Sequence, residues 1–203
     1  MLLEIHPENP DIRKVKIVAQ RLSKGDIIIY PTDTVYGIGC DIFNQKAVER
    51  VCRIKKLNPE KANLTFICKD LSQLAFYVHH IDNQLFRTLK QNIPGAFTFI
   101  LKANKEVPRH FKNKRKTVGI RVPNNAIAQA IIEELDRPIL SISLNADDEK
   151  DGILTDPYLM HERFEKLVDI VIDGGEGGTE FSTVVDCSNG EIEIIREGKG
   201  ELV

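Results

Sequence analysis

The sequence predicts a single α/β domain over residues 1–203, with short strands gathered in one sheet and helices flanking it. Three observations lead there. Short apolar runs rich in β-branched residues, as at Ile27-Ile28-Ile29-Tyr30, have the length of strands. Stretches with apolar residues at helical spacing lie between them, as at Ile12, Val15, Val18, Ala19 and Leu22. Finally, 203 residues are long for one core and short for two.

Asn9-Pro10 is expected to open the first helix, a capping side chain followed by Pro at the first helical position. Gly25 ends that helix after Lys24. The run Ile27 to Tyr30 reads as a strand buried on both faces. Pro31 has no N–H to give a ladder, so Thr32 to Gly39 is expected to leave the sheet. This exit carries hydroxyls, a carboxylate, a phenol and two glycines. Ligands of open α/β sheets sit just outside such strand ends, although an ordinary polar turn has the same composition.

Asn44 can cap a second helix whose inner face is Ala47, Val48, Val51 and Ile54. Lys55 falls about 100° beyond Ile54, at the edge of the buried stripe, where a lysine either meets a phosphate or stays in solvent. Ser72 and Asp82 are the expected caps of two short helices, and His79-His80 reads as a surface turn because adjacent side chains diverge. Strands are expected at Phe97 to Lys102 and Thr117 to Val122. Arg121, inside the second of these, must pair with an acid or face a cavity, since burying it alone is prohibitive. Asn125 caps a helix running through Leu135.

In Pro138 to Asn145, the residues Ser141, Ser143 and Asn145 share one face of a strand. Such groups line a polar pocket or satisfy one another. Asp156-Pro157 opens a helix to about Lys166, and a strand follows from Val168 to Ile172. Gly174-Gly175-Glu176-Gly177-Gly178 is a loop without the Gly-Lys-Ser/Thr of a phosphate-binding loop. Ser182 to Cys187 and Glu191 to Arg196 form a hairpin around Ser188-Asn189-Gly190.

The net charge is −2, yet Lys102 to Arg121 holds eight basic residues against Glu106 alone, and an acidic run stands at Asp147-Asp148-Glu149. A basic segment in a mildly acidic chain points to a local anion site, with a solvated loop as the alternative for Lys112 to Lys116. Cys40, Cys52, Cys68 and Cys187 stand singly and read as free thiols of a reducing cytosol; no metal site is expected. No stretch approaches a membrane span, so the expected location is cytoplasmic.

Pro31-Thr32-Asp33-Thr34-Val35-Tyr36-Gly37 resembles the P-T-[ED]-T-[VS]-Y-G signature of the YrdC/YciO family, whose active members are threonylcarbamoyl-AMP synthases. The resemblance continues through Pro94 to Thr98, Gly119 to Pro123, Ser141 to Asn145, Ser182 to Asp186 and Arg196-Glu197-Gly198, in family order. It implies a YrdC-like fold, a twisted mixed sheet with a positively charged concave face. It also implies synthesis of L-threonylcarbamoyladenylate from L-threonine, bicarbonate and ATP, with Mg²⁺, for threonylcarbamoyl modification of tRNA.

On this resemblance Lys55 and Arg121 are the catalytic candidates, Lys55 on the ATP phosphates and Arg121 on the threonine carboxylate. Thr32, Thr34, Tyr36, Ser141, Ser143 and Asn145 are expected on the substrate, and Asn63, Ser143, Asn145, Thr183 and Arg196 with Lys55 on the nucleotide. Leu57 stands where synthases carry an arginine, and in this the chain resembles the YciO branch more than the synthases proper. Two further readings remain: binding of double-stranded or ribosomal RNA by the basic face, and a YciO-type paralogue that binds or processes the adenylate while making it poorly. Tracts of RNA would be held through phosphate contacts. Partners of the synthase reading are tRNA-modification proteins.

Overall fold

A computed structural model of the chain describes residues 1–58, 64–111, 116–144 and 154–203. These residues form one α/β domain with ten strands in the order β1-β8-β2-β3-β7-β4-β6-β5-β9-β10. The first half comprises β1 (Leu2–Glu4), α1 (Ile12–Ser23), β2 (Ile28–Tyr30), β3 (Gly37–Gly39), α2 (Gln45–Ile54), β4 (Thr65–Ile67), α3 (Leu71–Tyr77) and α4 (Asn83–Asn92). The second half adds β5 (Phe97–Lys102), β6 (Thr117–Arg121), α5 (Ala126–Leu135), β7 (Ile139–Ser143), α6 (Pro157–Phe164), β8 (Ile170–Asp173), β9 (Thr183–Asp186) and β10 (Glu193–Arg196). The sheet is mixed: β2 pairs in parallel with β8, β4 with β6 and β5 with β9, while β3, β7 and β10 run antiparallel to their neighbours.

Alternation along the strands divides the core in two. Ile28, Tyr30, Ile67, Ile139, Ile170 and Ile172 meet Val15, Val18, Leu22, Ile127 and Ile131 from α1 and α5 on one face. Ile27, Ile29, Phe66, Phe99, Ile120 and Val171 meet α2, α3, α4 and α6 on the other. Each of these helices is capped by the Asp or Asn side chain before it. Burial on both sides of the central strands explains their unbroken apolar runs.

Four expectations need correction. Helix α1 starts at Ile12 with Asp11 as its cap, because the Asp11 carboxylate accepts from Arg13 N at 2.8 Å while Asn9 N is turned onto His6 Nδ1 at 3.1 Å. The cap of α3 is Asp70, accepting from Gln73 N, rather than Ser72. Helix α6 stops at Phe164 and β8 begins only at Ile170.

The largest correction concerns the exit after Pro31. Thr32 to Tyr36 does leave the sheet, but Gly37–Gly39 returns as strand β3 against β2 and β7. A Cβ on Gly39 would lie 2.1 Å from the Leu140 carbonyl oxygen and 3.1 Å from the Tyr30 ring. Only glycine lets β7 and the ring approach that closely, so the residue that reads as a loop signal is here a packing device.

Candidate active site

On the face that α1 and α5 cover, the apolar cluster includes Ile67 of β4 and Ile139 of β7 but none of the hydroxyl-bearing positions farther along these strands. Register puts the side chains there on one side: Thr65 pairs with both Gly119 and Ser141, Gly119 with Ile100, Thr98 with Val184, and Ser143 with Gly37. The result is a cavity of about 510 Å³ with a floor of hydroxyls. Thr65, Thr98, Thr117, Ser141, Ser143 and Ser182 supply them. At Gly119 a Cβ would come within 2.5 Å of Thr65 Oγ1, so the missing side chain keeps the floor deep.

Cations stand around this floor. Lys55, the C-cap residue of α2, is 7 % exposed and lines the cavity beside Leu57. Arg121 at the end of β6 and Arg196 at the end of β10 line it as well. Among the described residues no carboxylate does. The described walls offer hydroxyls and cations instead of carboxylates, so they do not fit a magnesium ion held by protein ligands.

Arg121 is 7 % exposed, and the exit loop holds it. Its Nη2 forms an ion pair with Asp33 Oδ1 at 2.5 Å and its Nη1 donates to Thr34 Oγ1 at 2.8 Å. Both of the readings allowed for a buried arginine therefore apply together: it has an acid partner and it faces a cavity. Its Nε is buried with no hydrogen-bond partner among the described residues. Leaving such a donor unmade costs about 1–3 kcal/mol.

Arg196 is held otherwise. Its Nε and Nη2 donate to the Ser182 carbonyl oxygen at 3.3 and 2.8 Å, and its guanidinium lies 5.6 Å from the Phe181 ring centre. Partial burial, with the Arg121 charge adding to it, pulls its pKa down. Two guanidinium groups that feel each other across a hydroxyl-lined hollow make a site for an anion.

Other expected site residues are placed apart from the cavity lining. The Tyr36 hydroxyl donates to Gly175 O at 2.7 Å and accepts from Gly174 N at 3.2 Å, and burial pushes its pKa up to about 12. It tethers the glycine loop to the exit loop. The Thr183 hydroxyl donates to Gly200 O at 2.6 Å and accepts from Gly198 N at 3.0 Å. Thr32 and Thr34 lie behind Arg121, bonded to each other and to the loop backbone. Asn63, Asn145 and the run Asp147-Asp148-Glu149 lie outside the described residues, as do Lys112, Lys114 and Arg115; Lys116 is exposed.

Sequence reasoning missed Asp33, Ser182 and Lys199. Asp33 stands in the quoted motif, but its role depends on Arg121, 88 residues away. Lys199 Nζ donates to the Asp33 carbonyl oxygen at 2.8 Å from 166 residues away. His79 and His80 are exposed, and no group of three His, Cys, Asp or Glu able to hold a metal occurs among the described residues. Burial raises the thiol pKa values of Cys40, Cys52, Cys68 and Cys187, which suits packing rather than nucleophilic work.

A fold of this kind with a cation- and hydroxyl-lined cleft defines a class, and sequence comparison names it. Residues 20–198 match the profile of the Sua5/YciO/YrdC family, described as telomere recombination, and the chain belongs to that family. It is 45% identical over 199 residues to the protein YciO of Escherichia coli strain K12, covering 98% of this chain and 95% of that one. It is 31% identical over 175 residues to a threonylcarbamoyl-AMP synthase of Pseudoalteromonas translucida, covering 84% and 91%. The crystal structure of E. coli YciO superposes with a TM-score of 0.91 at 42% identity, over 99% of this chain and 97% of that one. P. abyssi Sua5 complexed with L-threonine gives 0.87 at 28% identity, over 98% of this chain and 57% of that one. The family thus includes threonylcarbamoyl-AMP synthases. No helix among the described residues is long and apolar enough to cross a membrane.

Proposed function

We propose that this protein is a cytoplasmic nucleotidyltransferase that makes L-threonylcarbamoyladenylate from L-threonine, bicarbonate and ATP, supplying the threonylcarbamoyl group for tRNA modification. The observation that carries the reading is the buried Arg121 facing a hydroxyl-lined cavity that also holds Lys55 and Arg196. The substrates are two anions that must meet, and a site with fixed cations on separate strands can hold both. Arg121 takes the threonine carboxylate in a charge-assisted contact. Lys55 and Arg196 neutralise the phosphates, and Ser141 and Ser143 orient the ligands.

The amine of threonine combines with bicarbonate to give a carbamate and water. A carbamate oxygen then attacks the α-phosphorus, the bond to the β-bridging oxygen breaks, and pyrophosphate leaves with the electron pair. Positioning and charge neutralisation suffice, as in other transfers at phosphorus, and no covalent nucleophile is required. A magnesium ion arriving with the nucleotide would supply further neutralisation of charge, while Lys55 and Arg196 supply the protein's share.

A second reading has its own observation. Leu57 is 38 % exposed and lines the cavity beside Lys55. A leucine there gives the triphosphate no fork to grip, so a protein that binds the adenylate yet makes it slowly fits the same site. One experiment addresses both. Purified protein is incubated with ATP, bicarbonate and labelled L-threonine, and the adenylate and pyrophosphate are followed in the parent and in Leu57→Arg. Threonine-dependent pyrophosphate is expected from both, with about a tenfold gain in the variant, equivalent to ~1.4 kcal/mol of transition-state stabilisation. Absence of any threonine dependence in either protein overturns the synthase reading.

A further inference from the structure

Strand β3 carries no side chain at Gly37 or Gly39, and the Tyr30 ring fills the space over both. A Cβ on Gly37 would lie 3.2 Å from Tyr30 Cζ, and one on Gly39 would lie 3.1 Å from Tyr30 Cε1. The ring therefore leans from β2 across β3 towards β7, on the sheet face that it shares with Ile139. Ser141, two residues on, points to that same face. The Tyr30 hydroxyl ends beside it, since the Gly37 Cβ would stand 3.3 Å from both Tyr30 Oη and Ser141 Oγ. Ser141 lines the cavity, whereas Tyr30 does not and is 0 % exposed. The phenol is thus one layer behind the cavity floor.

Among the described residues this hydroxyl makes no hydrogen bond of normal geometry. Burial pushes its pKa up, against a smaller downward pull from the Ser141 hydroxyl, so the phenol keeps its proton and stays a donor. A buried donor with nothing to donate to lowers stability, and phenylalanine would fill the same space without that cost. The cost is recovered once the neighbouring oxygen becomes a fixed acceptor. Ser141 has one proton and two lone pairs. When a ligand oxygen takes that proton, the Ser141 oxygen is left to accept, and the Tyr30 hydroxyl is the donor beside it. In a chain from Tyr30 to Ser141 to ligand, each bond polarises and strengthens the next.

We propose that Tyr30 is a positioning residue, whose hydroxyl donates to Ser141 when a ligand is bound and so turns the Ser141 proton onto an anionic oxygen of that ligand. Tyr30 itself does not touch the ligand. This deepens the synthase reading and rests on it for the source of the oxygen, ATP or L-threonine.

The test uses Tyr30→Phe, Ser141→Ala and the double variant, each in the full chain. Melting temperature is measured without ligand, and calorimetry measures ATP, L-threonine and inorganic pyrophosphate separately. Tyr30→Phe is expected to melt about 2–4 °C above the parent, because it removes the unmet donor. It should nevertheless weaken at least one ligand about fivefold, and Ser141→Ala should weaken that ligand at least as much. The double variant should bind it as Ser141→Ala does, since Tyr30 acts only through Ser141. A merely structural tyrosine would lower the melting temperature on substitution and leave every affinity alone. A melting temperature at or below the parent's overturns the proposal, as do unchanged affinities in Tyr30→Phe or losses that multiply in the double variant. If ATP or pyrophosphate shows the coupling and L-threonine does not bind, the synthase reading falls and the role of Tyr30 stands. If L-threonine and ATP bind without the coupling, the reverse holds, and if no ligand binds, both fall.

Discussion

Arg121 and Arg196 reach one cavity from β6 and β10, yet the protein treats their charges in contrasting ways. Arg121 is buried against a carboxylate and a hydroxyl, so its charge is largely compensated and its direction is set. Arg196 sits at an exposed strand end, leans on a carbonyl oxygen and an aromatic face, and has no acidic partner among the described residues. Geometry is the product of the first arrangement, and available positive charge is the product of the second. A reaction joining a small carboxylate to a polyanion needs one of each: a fork that selects by shape, and a charge that attracts and neutralises.

The largest consequence of that division is expected at Arg121. Arg121→Ala should lower threonine-dependent adenylate formation about 100-fold, or ~2.7 kcal/mol, while ATP affinity changes less than about threefold. It should also lower the melting temperature, because Asp33 then remains largely buried without its cation. A fall in melting temperature with threonine affinity intact would make Arg121 a purely structural partner of Asp33. At Arg196 a smaller effect of another kind is expected. Arg196→Ala should weaken ATP about tenfold in dilute buffer, and the deficit should shrink by half a molar salt, since exposed charges are screened over a few ångströms there. Titrations of both variants across ionic strength check this, and equal salt sensitivity would remove the distinction between them.

The smallest effect concerns Asp41, a second carboxylate opposite an arginine. Asp41 is 2 % exposed, accepts from Phe43 N, and meets Arg137 Nη1 at 3.1 Å. Burial nevertheless raises its pKa above the usual carboxylate value, outweighing the partner, which is half-exposed. The folded state thus holds the Asp41 proton more tightly than the unfolded chain does. Stability from this group is present below the ordinary carboxylate range and is lost as pH rises through the raised value. Asp41→Asn removes that loss. Its melting temperature relative to the parent should improve by about 2–4 °C between pH 4 and pH 7, and a flat difference would mean that Arg137 compensates the charge fully.

Much of this organisation could be read in the sequence because it is local. Asn44, Asp82, Asn125 and Asp156 cap helices where expected, since a cap bonds to residues two or three positions ahead. The shared face of Ser141 and Ser143 followed from strand alternation, and both line the cavity. The acid facing Arg121 was foreseen in kind and not in person, because choosing Asp33 requires knowing which loop crosses the end of β6. Tyr36 and Thr183 show the same limit from the other side. Their hydroxyls look available along the chain, and backbone groups at Gly174, Gly175, Gly198 and Gly200 consume them in space. Gly39 shows that composition can mislead about an element, since its role lies in the approach of β7 and the Tyr30 ring.

The contact between Lys199 and Asp33 spans 166 positions of sequence, the one between Tyr36 and Gly175 spans 139, and the Arg121 ion pair spans 88. Contacts of such separation form only after the intervening chain has been gathered, and their loop-closure entropy must be met first. The loop that orients Arg121 is thus clamped by segments far apart in the order of synthesis. A nascent chain that has released its first hundred residues holds Thr32, Asp33 and Thr34 but neither the guanidinium they grip nor the lysine that steadies them. Ligand recognition in this protein is a late event of folding, acquired when the topology closes.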